Sequence, residues 1–399
     1  MYTLYCRTFQ SVYRLVAKAL PWRQPLLLEG ENSVLELPAL LYCHSVRRVL
    51  VVTDSTLPKL GLLDGLLDEL QTADIQSVMY DKTVPNPTID NVEEALALYH
   101  SERCDGIIAF GGGSAIDCAK GVAARVARPD RTLPQLKGQL KVRKETPPLA
   151  AIPTTAGTGS EATIVSVVSD SRTHEKYAIN DPVLTPRFAV LDPLLTVNLP
   201  KLITSTTGMD ALTHAVEAYI GGSTTPATRA WSLEAARLIF VHLPAAYSDG
   251  HDIQARKNMQ RAAYLAGRAF TRSYVGYIHA IAHTLGGFYN VPHGLANAVI
   301  MPYVLDYYGE SVHKPLAELA LAAGLGDNRL SDAGNSLAFI RAVRQLNVDM
   351  GIPDTISGIR EEDIPLMIDR ALAEANPLYP VPRILGRTDL RRLYDAIRD

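Results

Sequence analysis

The sequence predicts an α/β chain in two unlike parts: a parallel sheet flanked by helices up to about residue 198, then an all-helical part. Three observations predict it. Before Asn198-Leu199-Pro200, short apolar runs bounded by turn residues alternate with stretches of helical period. After it, strand signals stop and Ala- and Leu-rich segments follow one another with a 3.6-residue repeat. The length, 399 residues, also exceeds what one ordinary compact core holds.

The elements follow in chain order. Residues 2–20 place Leu4, Tyr5, Phe9, Val12, Tyr13, Val16 and Leu20 at helical spacing, with Arg7, Arg14 and Lys18 among them. Such a basic amphipathic helix docks on its own domain or a neighbouring subunit, or makes weak contact with a membrane surface. Pro21 ends it. Strands are predicted at 47–52 (ending before Asp54), 75–80, 106–110, 149–152 and 188–191, with helices at 60–70, 88–99 and 115–127 between them. The basic, turn-rich stretch 135–146 reads as a surface excursion. Helices are then predicted at 209–220, 226–240, 253–270, 277–285 and 295–308. The expected organisation is an N-terminal extension over 1–24, an α/β domain over 25–198 and a helical domain over 199–399.

Composition excludes several classes. Lys+Arg 39 against Asp+Glu 42 gives a net charge of −3, without the basic patch of a nucleic-acid binder. Cys6, Cys43, Cys104 and Cys118 have no paired spacing, which speaks against a disulfide framework or a thiolate metal site and for a cytoplasmic location. No apolar stretch approaches the roughly 18 residues that span a bilayer, and the N-terminus lacks a secretory h-region.

Two loops carry phosphate-binding logic. Phe110-Gly111-Gly112-Gly113-Ser114-Ala115-Ile116-Asp117 leaves a predicted strand and opens a helix. Its glycines let the backbone approach a ligand, and the helix start offers free N–H groups to a phosphate. It is not the G-x-G-x-x-G fingerprint. The bland reading is a tight βα turn with Ser114 and Asp117 at capping-box spacing. The second loop, 151–161, contains Thr154, Thr155, Thr158 and Ser160 after another strand. In open α/β sheets ligands gather at the carboxyl ends of strands, so the pair of loops predicts a dinucleotide or phosphorylated ligand and a Rossmann-like arrangement. Asp54, ending the first strand, suits a ribose hydroxyl and repels a 2′-phosphate, which favours NAD over NADP.

The helical part carries a different chemistry. Asp210 and His214 lie four residues apart, as do His279 and His283, so each pair shares a helix face; His293 follows in a predicted loop, Pro292-His293-Gly294. Polar side chains grouped in apolar helices need partners. A metal ion satisfies them, as does a structural hydrogen-bond network. Nitrogen and oxygen ligands suit Fe(II) or Zn(II), and spacing alone does not say which histidines bind.

Taken together, 111–114, 153–161, 208–219 and 279–297 resemble the iron-containing (group III) metal-dependent alcohol dehydrogenases, in order from about residue 26 to the C-terminus. The resemblance implies a dinucleotide-binding α/β domain followed by a helical metal-binding domain, with the active site in the cleft between. It implies metal ligands Asp210, His214, His279 and His293, with His283 as a nearby proton relay. For the cofactor, the loop reading and the resemblance together point to Asp54, Asn86, Gly112, Gly113, Ser114, Asp117, Thr154, Thr155, Thr158 and Lys176. The implied reaction is reversible, NAD-linked oxidation of an alcohol to an aldehyde or ketone with Fe(II), or Zn(II), as Lewis acid, in a homodimer or larger homo-oligomer. Competing readings are a polyol dehydrogenase or cyclising lyase on the same scaffold, which the intact Asp210 disfavours, and a non-catalytic assembly-forming relative. Thr284 and Arg272 depart from the family's usual Pro and Asn, and are expected on the substrate side.

Overall fold

The apolar runs of the first part pair as one six-stranded parallel sheet. Its strands are β1 (Leu26–Glu29), β2 (Arg48–Val52), β3 (Gln76–Tyr80), β4 (Gly106–Gly111), β6 (Leu149–Pro153) and β9 (Phe188–Leu191), in the spatial order β1-β9-β6-β4-β2-β3. The computed structural model describes residues 1–18, 20–172 and 175–399; the side chain of Lys18 lies outside the described residues. The chain forms two compact units, Pro21–Asn198 and Leu199–Asp399, the latter together with Met1–Leu20.

Alternation along the strands explains why helices cover both faces of the sheet. Leu50, Val52, Ile107 and Ala109 pack with α4 (Ile89–Ser101) and α5 (Gly113–Ala127) on one side. Val49, Val51, Ile108 and Phe110 pack with α2 (Leu37–Cys43) and α3 (Asp64–Thr72) on the other. Strands buried on both faces read as continuous apolar runs, which is why β2, β4 and β6 appear within a residue of their expected place and β9 matches; β3, an edge strand with Gln76 and Ser77 exposed, also falls within a residue of its place. β1 was not anticipated, because a four-residue edge strand carries too short a signal.

Beside the expected parallel sheet stands a second, smaller one that the apolar pattern does not announce. β7 (Val165–Asp170) and β8 (Glu175–Asn180) pair antiparallel, and β5 (Gly138–Gln139) runs parallel to β8, making a separate three-stranded sheet. β7 alternates: Ser166 and Val168 are buried while Val165 and Val167 are half-exposed. The stretch 135–146 is partly anchored, with Leu136 and Val142 buried and a short α6 (Leu133–Leu136) leading into it.

Among the described residues the named elements of the second unit are all helices, beside one isolated parallel bridge between Ile356 and Arg398. Its elements are α7 (Lys201–Ile220), α8 (Pro226–Ser248), α9 (Ile253–Ser273), α10 (Tyr277–Tyr289), α11 (His293–Tyr308), α12 (His313–Ala322), α13 (Asp332–Asp349), α14 (Ile364–Ala375) and α15 (Arg387–Ile397). The N-terminal helix α1 (Tyr2–Lys18) docks on this unit, through Arg7 and Gln10. No helix among the described residues is long and apolar enough to cross a membrane.

Candidate metal centre and cofactor edge

The cofactor candidates gather on the carboxyl edge of four neighbouring strands. β2 leads to Asp54, β3 to Asn86, β4 to the glycine turn and β6 to the hydroxyl loop. The chain runs from β2 out to β3 and then returns to the far side of β2 as β4, so the strand order reverses between β2 and β4, where open sheets bind ligands. Asp54 sits at that point. Its Oδ1 accepts the N–H groups of Thr56 and Leu57 (2.7 and 3.2 Å), which leaves Oδ2 facing the turn at Gly111.

α5 begins at Gly113 with Gly112 as its N-cap, so no side chain caps it and its first N–H groups remain available. The capping box expected of Ser114 and Asp117 does not form. Ser114 already lies inside the helix, where its Oγ accepts the Asn86 N–H (3.2 Å), and Asp117 turns to the second loop, accepting from Ser160 Oγ (3.0 Å). Lys176 Nζ donates to Asn86 Oδ1 (2.8 Å), so Asn86, Ser114 and Lys176 meet although the sequence separates them widely. The Thr154 N–H donates to the Gly111 carbonyl (3.0 Å), and Thr155 and Thr158 pack directly against Gly112 and Gly113.

One residue that sequence reasoning missed fixes the second loop. Lys120 of α5 is fully buried and donates to the carbonyls of Ser160, Thr163 and Val165 (2.6, 2.8 and 2.9 Å) and to the Thr163 hydroxyl (2.8 Å). Burial pushes its ammonium well below the usual lysine range, opposed by the Asp117 and Glu161 carboxylates. A lysine in the apolar run Cys118-Ala119-Lys120-Gly121-Val122 was the available signal.

In the helical unit, Asp210, His214, His279 and His293 each present one donor atom, all within 4.8 Å of one another. Asp210 and His214 come from successive turns of α7, and His279 from the first turn of α10. His293 is not in a loop, as expected, but is the first residue of α11; likewise α10 continues through Gly286-Gly287 to Tyr289. The glycine after His293 makes this possible, because a Cβ on Gly294 would collide with the Thr206 carbonyl of α7.

The donor chemistry fits one divalent cation. Asp210 is 2% exposed, and its Oδ1 lies 3.4 Å from His293 Nε2 and 3.9 Å from His279 Nε2. His279 Nδ1 faces Glu217 Oε2 at 2.6 Å, so the ring donates there and turns an Nε2 lone pair to the centre. Burial holds His214 down at about 3, so its imidazole stays neutral, the form that ligates metal. Phe270 stacks on the His214 ring at 4.3 Å and fixes its plane. Asn297 Nδ2 donates to Asp210 Oδ1 (2.7 Å) and faces the Nε2 atoms of His279 and His293 at 3.2 Å.

Glu217 was also missed. It lies seven residues after Asp210 on the same face of α7, and its carboxylate accepts from the Gly276 N–H (2.8 Å), the Ile278 N–H (2.8 Å) and His279. It therefore caps α10 from another helix while orienting a histidine of the centre. Burial pushes its carboxyl up, and the backbone N–H donors pull the other way. With three donors on its two oxygens, the geometry serves the anion. The Glu217→Gln variant is expected to bind metal about 10- to 100-fold more weakly, read by competition with a chelator; unchanged affinity would remove Glu217 from this role.

His283 lies one turn beyond His279 and outside the four-donor group. Its ring stacks on His293 at 5.2 Å, and its Nδ1 faces Glu374 Oε1 at 2.8 Å. The two departures from the family pattern each have definite partners. Thr284 is buried with its hydroxyl on the Ile281 carbonyl and the Tyr394 hydroxyl, and the Arg272 guanidinium lies over the Trp231 ring.

Comparison with known proteins covers both units. The description "Iron-containing alcohol dehydrogenase" matches residues 25–193, and "Fe-containing alcohol dehydrogenase family, C-terminal" matches residues 204–398. The chain is 40% identical over 334 residues to 1,3-propanediol dehydrogenase of Klebsiella pneumoniae, covering 83% of this chain and 86% of that protein. It is 36% identical over 352 residues to NAD-dependent methanol dehydrogenase of Bacillus methanolicus, covering 88% and 92%. The solved structure of an alcohol dehydrogenase from Oenococcus oeni superposes with a TM-score of 0.91 at 34% identity, over 95% of this chain and 100% of that one. With both units matched in order, the chain belongs to the iron-containing alcohol dehydrogenase family and is an oxidoreductase acting on alcohols.

Proposed function

We propose that this enzyme oxidises a small alcohol reversibly to an aldehyde or ketone with NAD, using one divalent metal ion held by Asp210, His214, His279 and His293. The observation that carries the reading is the convergence of one carboxylate and three imidazoles from three helices within 4.8 Å. On this reading residues 25–198 carry the cofactor and 199–399 the metal. When bound, the ion supplies Lewis acidity toward the substrate oxygen and NAD the hydride acceptor. Fe(II) is our first choice of metal, and Zn(II) accepts the same nitrogen and oxygen donors.

The chain's own groups do the rest. Glu217 keeps the His279 Nε2 lone pair aimed at the centre. Asp54 offers its free oxygen to a ribose hydroxyl and its charge against a 2′-phosphate, the support for NAD over NADP. Asn86, Ser114 and Lys176, with the N–H groups at the start of α5, receive the dinucleotide's polar parts. His283 moves the alcohol proton outward, its Nδ1 partner Glu374 fixing the ring. The names of the relatives, a propanediol and a methanol dehydrogenase, support a short primary alcohol or diol as substrate. We further infer a cytoplasmic homo-oligomer; β1, at the edge of the sheet, is a natural place for a second copy to add a strand.

The test is initial-rate formation of reduced nicotinamide with a panel of primary alcohols and diols, with NAD or NADP, on protein loaded with Fe(II) or Zn(II). Turnover with NAD that follows metal content is expected; turnover in fully demetallated protein would sink the reading. In the same assay His283→Ala should slow turnover about 10²-fold or more with its metal retained, and loss of metal would instead make His283 a ligand.

A further inference from the structure

We propose that the N-terminal helix α1 is a strut of the active site, with Arg7 and Gln10 acting as positioning residues for His283 through Tyr379 and Glu374; this rests on the proton-transfer reading of His283. α1 lies ahead of the residues that match the family, 25–193 and 204–398, so the proposal concerns a part of this chain outside them.

The argument begins with backbone that has no ladder of its own. Between α14 and α15 the chain forms neither helix nor strand, and a buried carbonyl there must find a donor elsewhere. Two side chains one turn apart on α1 supply four. Gln10 Nε2 donates to the carbonyls of Pro377 and Tyr379 (3.1 and 2.7 Å), and Arg7 donates through Nη1 and Nη2 to those of Val381 and Pro382 (2.7 and 2.8 Å). Arg7 Nη1 also donates to Gln10 Oε1 (3.0 Å), which locks the two side chains together. The carbonyl between them, that of Pro380, takes the Gly222 N–H (2.6 Å).

The segment thus held leads directly to the site. The Tyr379 hydroxyl donates to Glu374 Oε1 (2.8 Å), the same oxygen that faces His283 Nδ1 at 2.8 Å. Gln10, Tyr379, Glu374 and His283 therefore form a continuous series of contacts. A second contact reaches the approach to α10, where the Tyr13 ring meets the Tyr274 ring edge-on at 5.8 Å.

The orientation of α1 tells a strut from a cover. A helix that served to shield apolar surface would turn its apolar face inward. α1 turns Cys6 and Gln10 inward (0% and 7% exposed) but leaves most of its large apolar side chains outside, with Leu4, Val12 and Leu15 71%, 57% and 64% exposed. What it gives to the domain is directed hydrogen bonds.

The test uses the full-length, metal-loaded enzyme carrying Gln10→Ala, Arg7→Met, Arg7→Lys, His283→Ala or the outward-facing control Val12→Ser. Steady-state rates are read beside amide hydrogen exchange over 376–386 and 277–289. Gln10→Ala and Arg7→Met are expected to lower kcat about ten-fold, a fraction of what positioned proton transfer contributes. KM and metal content should stay near those of the parent, and exchange should quicken in both segments. Arg7→Lys, which keeps a donor, should recover part of the rate, and Val12→Ser should behave as the parent does. Adding Tyr379→Phe to Gln10→Ala should cost less than the two single effects combined, as for residues acting in series. Parent-like exchange in both Gln10→Ala and Arg7→Met overturns the proposal, as does a parent-like kcat in both when His283→Ala is slow. If His283→Ala itself turns over normally, the proton-transfer reading falls, and exchange alone then decides for or against the strut.

Discussion

Replacing His279 with alanine is expected to remove the divalent metal and alcohol oxidation together. The residue is 2% exposed and its ring works at both ends, with Nδ1 on Glu217 and Nε2 beside Asp210, Asn297 and the other histidines. Alanine takes away one of four donors and also strips Glu217 of one of its three hydrogen bonds, so the remaining set is both incomplete and less firmly placed. Lewis-acid assistance worth several kcal/mol corresponds to a loss of about 10³-fold or more in turnover. Metal stoichiometry by elemental analysis, measured on the protein used for the rates, checks both halves. Full metal with lost activity would turn His279 from a ligand into a participant in the chemistry, and undiminished activity would take it out of the site. The contrast with His283→Ala, slow but metal-loaded, separates the two histidines of one helix.

Gly113→Ala should damage the cofactor side and leave the metal alone. A Cβ at this position would stand 2.7 Å from Thr158 Cγ2 and 3.0 Å from its Oγ1, so the hydroxyl loop must retreat from the start of α5. Thr158 Oγ1 also accepts the Ser160 N–H (3.3 Å), and Ser160 is tied to Asp117 and Lys120, so the shift has little slack to absorb it. We expect the KM for NAD to rise about ten-fold or more, equivalent to roughly 1.4 kcal/mol of lost binding, with unchanged metal content. Titration of NAD binding measures it directly. Parent-like affinity would mean that the dinucleotide does not use this turn.

The sequence disclosed the donor group because its members sit on helices. A four-residue spacing fixes a shared face whatever the tertiary fold, so Asp210 and His214 are legible as a pair from their spacing alone. The role of Glu217 is not, because its partners lie 59 to 62 residues away and only the packing of α7 on α10 brings them near. The same holds for Glu374, which meets His283 across 91 residues. Parallel strands buried on both faces announced themselves, whereas β7 did not: serines interrupt the valines along Val165-Ser166-Val167-Val168-Ser169, and Ser166 is buried through α5 beneath it, where its hydroxyl donates to the Asp117 carbonyl. The Ser114–Asp117 capping box failed for a related reason. Local spacing suggested one partner, and a loop more than 40 residues downstream supplied a better one, in Ser160.

The sealed ammonium of Lys120 has a consequence for ionic strength. Mobile ions screen exposed charges over about 8–10 Å and reach buried ones far less. Surface pairs such as Arg237 with Glu234 will fade as salt is added, whereas the grip of Lys120 on the 160–165 backbone will not. The hold of Lys120 on the hydroxyl loop is therefore expected to be insensitive to salt, and a salt dependence of NAD affinity is expected to come from the less buried charges, such as Asp54 and Lys176, and the dinucleotide's own.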